Sequence, residues 1–192
     1  MIESIPKGAN DLSGEDYKGI IEKFICDYPI CEFYHIALKD LVFSDKVRYI
    51  CENACDRYNK SWACPPAINS IDHCMKECET YTHVFLFTSV AEVPDRMDFF
   101  ACLEARRDHE RMTFDLRQRF ESHFGNVLVL SSGCMICEEC SYPVAPCRYP
   151  EERMSSIESH GILIIETASR LGITLDWGNN IVVYFSLIFF NA

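Results

Sequence analysis

The sequence lacks a long apolar run. Its most apolar segment, residues 181–190, is ten residues long, whereas a helix needs about 20 apolar residues to cross a bilayer. The first ten residues, MIESIPKGAN, lack the basic stretch followed by an apolar one that marks a secretory signal. We therefore expect no membrane span, no membrane partner and a cytoplasmic location, in which thiols stay reduced.

Basic residues and glycines are also scarce. Lys and Arg number 18 against 29 Asp and Glu, which gives a net charge of -11 at pH 7. Nucleic acids and anionic membrane surfaces are bound through concentrated Lys and Arg, so we expect neither as a partner. The 8 glycines form no Gly-rich phosphate loop after any predicted strand. Nucleotide binding is therefore not supported.

Cysteine, in contrast, is abundant, with 12 in the chain. This is about 6% of the residues, below the roughly 8–10% that marks a disulfide scaffold, and metal ligation explains it better. Residues 133–150, GCMICEECSYPVAPCRYP, contain four of them: Cys134, Cys137, Cys140 and Cys147. Three thiols at successive two-residue gaps can neither share one helix face nor alternate along a strand. We therefore predict a loop wrapped around a metal centre.

The three-cysteine run with a fourth cysteine downstream resembles the cluster-binding run of bacterial ferredoxins. It departs from that run because the last gap is six residues instead of three, and because Arg148 follows Cys147. Cys147 is therefore a ligand of the same cluster, a ligand of another centre, or no ligand. Structural zinc sites usually pair two short Cys-x-x-Cys or Cys/His hooks. The run thus favours an iron–sulfur cluster, most readily 4Fe–4S, with zinc as the alternative.

A second group of five cysteines lies in residues 51–78, CENACDRYNKSWACPPAINSIDHCMKEC. They are Cys51, Cys55, Cys64, Cys74 and Cys78. The first two are four residues apart, as are the last two, so each pair shares a face if its segment is helical. Cys64 precedes Pro65 and Pro66, which hold the loop at that thiol still. An alternative for the last pair is the core-facing stripe of a short helix that starts near Ser70.

Hydrophobic periodicity predicts an α/β order of elements. Helices are predicted over residues 15–28, 95–124 and 154–171, the last with Ser155 or Ser156 as its cap and a break at Gly161. Strands are predicted over residues 32–43, 81–90, 126–131 and 181–190. The last strand is apolar on both faces, which is typical of a central strand in a sheet covered on both sides. We expect one layered α/β domain over residues 1–192, with a mixed sheet of about four strands, helices packed on it and cysteine-rich loops.

Residues 33–190 resemble a prokaryotic family of predicted metal-binding proteins that carries no settled activity. The resemblance rests on residues 51–78, on ARRDHE at residues 105–110, on residues 133–150 and on SSIESHGI at residues 155–162. It implies metal binding by nine motif cysteines, namely Cys51, Cys55, Cys64, Cys74, Cys78, Cys134, Cys137, Cys140 and Cys147. Three further cysteines fall outside the motifs and are expected to be structural; they are Cys26, Cys31 and Cys102.

Nine motif thiols are enough for two four-ligand sites. The second site takes the four cysteines of residues 133–150. The first takes Cys51, Cys55 and Cys64, with either Cys74 or Cys78 as its fourth ligand. Three classes of function follow: a redox or accessory protein that passes electrons to an unknown partner, a zinc-stabilised interaction module, or an enzyme with an open metal position beside Arg148 or His160.

Overall fold

Five strands form one mixed sheet in the computed structural model, which describes residues 16–192. The strands are β1 (Glu32–Ile36), β2 (His83–Glu92), β3 (Leu128–Ser131), β4 (Ser155–Ser156) and β5 (Ile181–Phe190). Their spatial order is β1-β2-β5-β3-β4, with β3 and β4 parallel and the other neighbours antiparallel. The predicted α/β fold with a mixed sheet is confirmed. The sheet has one strand more than expected, because β4 is too short to leave a strand pattern in the sequence.

Five α-helices lie in the described part of the chain. They are α1 (Asp16–Ile25), α2 (Asp45–Ala54), α3 (Ile71–Cys78), α4 (Phe99–Phe124) and α5 (Ile164–Leu171). α1 is the helix predicted over residues 15–28, of which residue 15 lies outside the described residues. No helix of residues 16–192 is long and apolar enough to cross a membrane.

β5 lies at the centre of the sheet, as its apolar composition predicts. β2 pairs with it on one side and β3 on the other. Phe85 of β2 and Ile188 of β5 are register partners on one face, and Leu86 and Leu187 are partners on the opposite face. All four side chains are fully buried. Both faces of the sheet are therefore covered, which is the environment that the two-sided apolar pattern predicts.

α1 and α4 cover one face of the sheet. Ile21 of α1 packs with Leu116 and Phe120 of α4 and with Phe85 and Ile188 of the sheet in one apolar cluster. Full burial of a side chain of this size contributes about 1.5–3 kcal/mol. The cluster contains none of the motif cysteines, so this half of the fold is held together independently of any metal.

α4 begins four residues later than predicted, after Asp98. The Asp98 carboxylate accepts hydrogen bonds from the backbone N–H groups of Phe100 and Ala101, which makes this residue the N-cap. The helix ends at Phe124 and is followed by Gly125, the predicted cap, whose positive φ of 76° favours glycine.

α3 and α5 cover the other face. Cys78 of α3 and Ala168 of α5 pack with Leu86 and Leu187 in a second apolar cluster. α3 starts after Ser70, whose hydroxyl accepts a hydrogen bond from the N–H group of His73 at 3.4 Å. For Cys78, the structure therefore shows the alternative in which a short helix starting near Ser70 packs its cysteine in the core.

The strand predicted over residues 32–43 is too long. β1 ends at Ile36, and a 3-10 turn, Leu38–Asp40, follows it. The Asp40 carboxylate accepts a hydrogen bond from the N–H group of Ala37 at 2.8 Å. This local bond satisfies a backbone donor that would otherwise pair with a neighbouring strand, so the strand stops there.

The segment between β4 and α5 contains the 3-10 turn Glu158–His160. Ser156 caps the turn, because its hydroxyl accepts a hydrogen bond from the N–H group of Ser159 at 3.0 Å. Gly161 ends it with a φ of 80°, at the predicted break. The helix predicted over residues 154–171 is wrong in its first half, because β4 and this turn occupy residues 155–160 and only α5 is an α-helix. The turn contacts both α2 and α3 and thereby positions the two helices that carry cysteines.

Candidate metal centre

The loop that follows β3 carries the first group of thiols. Residues 134–150 contain neither helix nor strand, as the cysteine spacing predicts. Four thiols line one cavity of about 380 Å³. They are Cys134, Cys137, Cys140 and Cys147. We call this space the loop cavity; it brings together all four cysteines expected for the second centre.

Hydrogen bonds converge on the sulfur of Cys140. Burial raises the pKa of this thiol, but hydrogen bonds from the backbone N–H groups of Tyr142 and Trp62 and from the Ser61 hydroxyl, together with the charge of Arg57, outweigh it. The pKa of Cys140 therefore lies below its usual value. Donors aimed at a sulfur stabilise the thiolate, which is the form that ligates a metal.

Opposing effects act on the pKa of Cys134. Burial raises its pKa, while hydrogen bonds from the backbone N–H groups of Ile136 and Met154 lower it. Cys137 and Cys147 are near enough for their charges to raise it further. Mutual repulsion among thiolates is the condition that a bound cation relieves, so this donor set fits a metal group.

Trp62 joins the loop to the second cysteine segment. Its indole Nε1 donates a hydrogen bond to the carbonyl oxygen of Ala145 at 3.0 Å, and its ring meets Tyr142 edge-on with centroids 4.8 Å apart. The Tyr142 hydroxyl donates to Asn59 Oδ1 at 3.1 Å. The two segments are thus held together by side chains, although they lie far apart in the sequence.

A second cavity, of about 330 Å³, adjoins the end of α2. Four thiols line it, namely Cys51, Cys55, Cys64 and Cys134. We call it the helix cavity. Cys51 lies on the last turns of α2 and Cys55 directly follows the helix, so their four-residue spacing brings both thiols to the same wall. Cys134 lines both cavities, which makes them neighbours.

Cys64 is the central thiol of the helix cavity. Burial raises its pKa to about 11, the charges of Cys55 and Cys51 raise it as well, and the nearby Arg57 and Arg106 lower it. These five side chains therefore surround one space. The turn that carries Cys64 is closed by a hydrogen bond from its own N–H group to the carbonyl oxygen of Ser61 at 3.2 Å.

Arg106 reaches from α4 to this space. Its Nε donates to Met135 Sδ at 3.2 Å and its Nη1 to the carbonyl oxygen of Ser132 at 3.4 Å. Its Nη2 is buried and has no partner among the described residues. A buried unpaired guanidinium nitrogen is costly. Glu110 supplies part of the opposing charge, and an anionic thiolate–metal group in the helix cavity would give Nη2 a partner, so the residues present fit such a group.

Two predicted ligands lie elsewhere. Cys74 lines a different cavity together with Glu77 and His160, and its thiol donates to the carbonyl oxygen of Asn69 at 3.7 Å. Cys78 is fully buried in the second apolar cluster, where burial raises its pKa to about 12. Neither thiol lines the helix cavity, so the structure does not bring them to Cys51, Cys55 and Cys64.

The three cysteines outside the motifs lie apart from both cavities, and so does His160, whereas Arg148 lines the loop cavity. Cys26 is exposed, while Cys31 and Cys102 are half-buried, and none of the three lines either cavity. Arg148 donates from Nη2 to the carbonyl oxygen of Glu139 at 2.5 Å, within the loop. His160 Nε2 lies 3.8 Å from Glu77 Oε2, beside Cys74.

Arg57, Arg106 and Glu158 line the helix cavity, but sequence reasoning did not select them as site residues. Arg106, His109 and Glu110 recur on the face of α4 that buries Leu116 and Phe120. Charged residues at the helical spacing of buried apolar residues indicate that this part of the helix face meets a polar environment inside the protein. Glu158 lies in the SSIESHGI motif, which could have drawn attention to it, whereas nothing in the sequence marks Arg57.

The thiols line walls and do not converge on one point. Among residues 16–192, no three His, Cys, Asp or Glu side chains are grouped so that they could hold a single metal ion as they stand. The arrangement consists instead of seven thiols around two adjoining cavities, beside an α/β core that does not depend on them.

Such a fold and site define a class: α/β proteins with clustered cysteines, a donor set that fits a metal. The chain belongs to the family described as predicted metal-binding protein (DUF2284), whose model matches residues 34–190. No curated protein and no solved structure matches the chain. The family match agrees with the resemblance stated from the cysteine motifs, and metal binding is what it establishes.

Proposed function

We propose that the chain carries two iron–sulfur centres, one in the loop cavity and one in the helix cavity, and that it passes single electrons to a protein partner. The observation that carries this proposal is the gathering of seven thiols around two cavities that share Cys134. An iron–sulfur cluster supplies one-electron chemistry when it is bound.

The spacing of the thiols supports a cluster over a single ion. Four thiolates on one zinc ion stand about 3.8 Å from one another, because each Zn–S bond is about 2.3 Å long. A cluster contains its own iron and sulfide and so holds its thiolates further apart. The described residues offer no group of three ligands at single-ion spacing, whereas the loop cavity has a volume of about 380 Å³.

The hydrogen bonds at Cys140 support a redox role. Hydrogen bonds to a ligating sulfur withdraw negative charge from it, and such bonds are one of the means by which a protein sets the reduction potential of a cluster. Cys140 receives them from Tyr142, Trp62 and Ser61. These three residues would therefore raise the potential of the centre in the loop cavity.

The surface beside the loop cavity supports a protein partner. Val144 is 93% exposed and Tyr149 is 45% exposed, and both lie in the loop that carries the thiols. Exposed apolar side chains on a loop are a common feature of docking surfaces. A partner protein that packs against them would sit next to the centre in the loop cavity.

Anaerobic purification with iron, zinc and acid-labile sulfide analysis tests the identity of the metal. We expect a brown protein with iron and sulfide in about equal amounts, as in 4Fe–4S clusters, and a reversible one-electron reduction. Stoichiometric zinc without sulfide, in protein reconstituted without oxygen, would instead identify a zinc-stabilised interaction module.

Paired substitutions test whether the two centres are separate. Cys137→Ala with Cys147→Ala removes two thiols that line the loop cavity alone, so we expect loss of about half of the iron and sulfide. The matched control is Cys26→Ala with Cys102→Ala, which also removes two thiols but touches neither cavity. Loss of all iron from the first variant, with its secondary structure retained, would mean one shared centre.

A further inference from the structure

The number of thiols around the two cavities leaves one centre incomplete. Two centres with four thiolates each need eight, and seven thiols line the loop cavity and the helix cavity together. The remaining five of the 12 cysteines line neither cavity. Because every cysteine of the chain lies in the described residues, no further thiol is available to complete the set.

Cys134 is the shared thiol, and its surroundings assign it to the loop cavity. It lines the loop cavity together with Cys137, Cys140 and Cys147, and all four thiols lie in the same loop of residues 134–150. The helix cavity then retains three thiols of its own.

Two cations and several apolar side chains also line the helix cavity. Arg106 Nη2 is buried without a partner among the described residues, and Arg57 is close enough to Arg106 for each to feel the charge of the other. The two guanidinium groups repel each other, and Glu110, the carboxylate whose charge acts most strongly on Arg106, does not line this cavity, so an anion inside it would be stabilised. Val47, Ile162 and Ile164 line the same cavity and limit its occupant to a small molecule.

Glu158 is the other group in this cavity that could ligate a metal. Its carboxylate accepts a hydrogen bond from its own backbone N–H group, which holds it in the 3-10 turn. Its charge is near enough to raise the pKa of Cys51. A test of the fourth metal position therefore has to distinguish Glu158 from an external ligand.

We propose that Cys51, Cys55 and Cys64 hold the centre in the helix cavity through three thiolates, and that its fourth metal position binds an exchangeable small anion paired with Arg106. The inference rests on the proposed iron–sulfur function and adds a ligand class to it. An open metal position beside a cation is the arrangement with which metal sites bind and polarise substrates.

The test uses the anaerobically reconstituted full chain, reduced and titrated with ¹³C-labelled cyanide, a small anion that binds iron. Electron paramagnetic and double resonance should detect a ¹³C coupling in the wild-type protein and also in the Cys137→Ala, Cys147→Ala variant, which lacks the loop centre. Arg106→Gln should weaken the apparent affinity for cyanide roughly tenfold, compared with the wild type per cluster present by iron and sulfide content. Arg57→Gln should weaken it in the same direction.

Arg107→Gln is the matched control, because Arg107 lies next to Arg106 in the sequence but pairs with Glu104 and does not line the helix cavity. Equal weakening by Arg107→Gln would overturn the role of Arg106. A ¹³C coupling that disappears with the loop centre would place the open position in the loop cavity and overturn the proposal.

Two outcomes separate this inference from the function on which it rests. Two clusters by iron and sulfide content, without any ¹³C coupling, would mean that the protein fills every metal position; a coupling that then appears in Glu158→Gln would identify Glu158 as the fourth ligand. A protein without iron and sulfide would overturn the iron–sulfur function itself, and this inference with it.

Discussion

Gly161 lies against Ile71 so closely that a Cβ atom at residue 161 would stand 2.7 Å from Ile71 Cγ2. The glycine has a φ of 80°, and its carbonyl oxygen accepts a hydrogen bond from the N–H group of Ser44, the N-cap of α2, at 2.8 Å. One residue therefore fixes the start of the helix that carries Cys51 relative to the helix that carries Cys74.

Gly161→Ala should lower the free energy of unfolding by about 2–4 kcal/mol, because it adds a steric overlap to the cost of a left-handed backbone. Gly172→Ala is the matched control: its φ is 70°, and nothing lies within 4 Å of its added Cβ. This control should cost only about 1 kcal/mol. Urea denaturation of both variants measures the difference, and equal losses would contradict the close contact at Ile71.

Trp62→Phe should loosen the loop from the second cysteine segment. The change keeps an aromatic ring beside Tyr142 but removes the hydrogen bond to the Ala145 carbonyl oxygen, at a cost of about 1 kcal/mol. We expect faster release of metal to a chelator from the loop centre. Trp177→Phe also removes an indole hydrogen bond, to the Thr174 carbonyl oxygen at 3.2 Å, but it lies away from the cysteines and should leave the release rate unchanged.

Removal of all metal should leave the sheet and helices in place and lower the melting temperature. The two apolar clusters hold the sheet and its helices. The loop at Pro143 is largely exposed, and the loop at Pro65 buries Ala63 and Pro65 beside the cavities. Metal-binding free energy in structural thiolate sites is on the order of 10 kcal/mol and is partly folding free energy. We expect an unchanged far-ultraviolet circular dichroism spectrum and new protease cuts near Pro65 and Pro143. Unchanged melting and protease resistance would show that the cysteines pack without organising the chain.

Glu110→Gln should change how stability depends on pH. Burial raises the pKa of Glu110 from 4.5 to about 7, against the opposing effects of its hydrogen bonds to Ser131 and Ser132 and of the charge of Arg106. The unfolded chain ionises this carboxyl at lower pH than the folded chain does, so its contribution to stability is present below pH 4.5 and is lost as the pH rises through about 7.

The Glu110→Gln variant cannot ionise at this position and so does not lose this stability. Its stability relative to the wild type should therefore increase between pH 4.5 and pH 7, by at most about 3 kcal/mol. Burial also lowers the pKa of His109 to about 4, so both proteins lose stability as the pH falls below the usual pKa of histidine. Because both proteins share this loss, it cancels in the difference between their free energies of unfolding. A difference that stays constant across the pH range would show that Glu110 titrates as an exposed carboxyl does.

The layered sheet could be predicted from the sequence because its signals are local. Residues 181–190 are apolar on both faces except at Ser186, and this pattern is typical of a strand in the middle of a covered sheet. The cysteine run predicted a loop, and residues 134–147 contain neither helix nor strand. Asp40 shows the limit of such reasoning, since a single side-chain hydrogen bond to Ala37 ends a strand that composition alone would continue.

The tertiary structure alone decided which thiols share a space. The four-residue spacing of Cys51 and Cys55 is the same as that of Cys74 and Cys78, yet the first pair lines the helix cavity and Cys78 packs in the core. Spacing on a helix fixes only which residues share a face. Whether that face meets a cavity or an apolar cluster depends on long-range packing, which also brought Arg106 from α4 to Cys64.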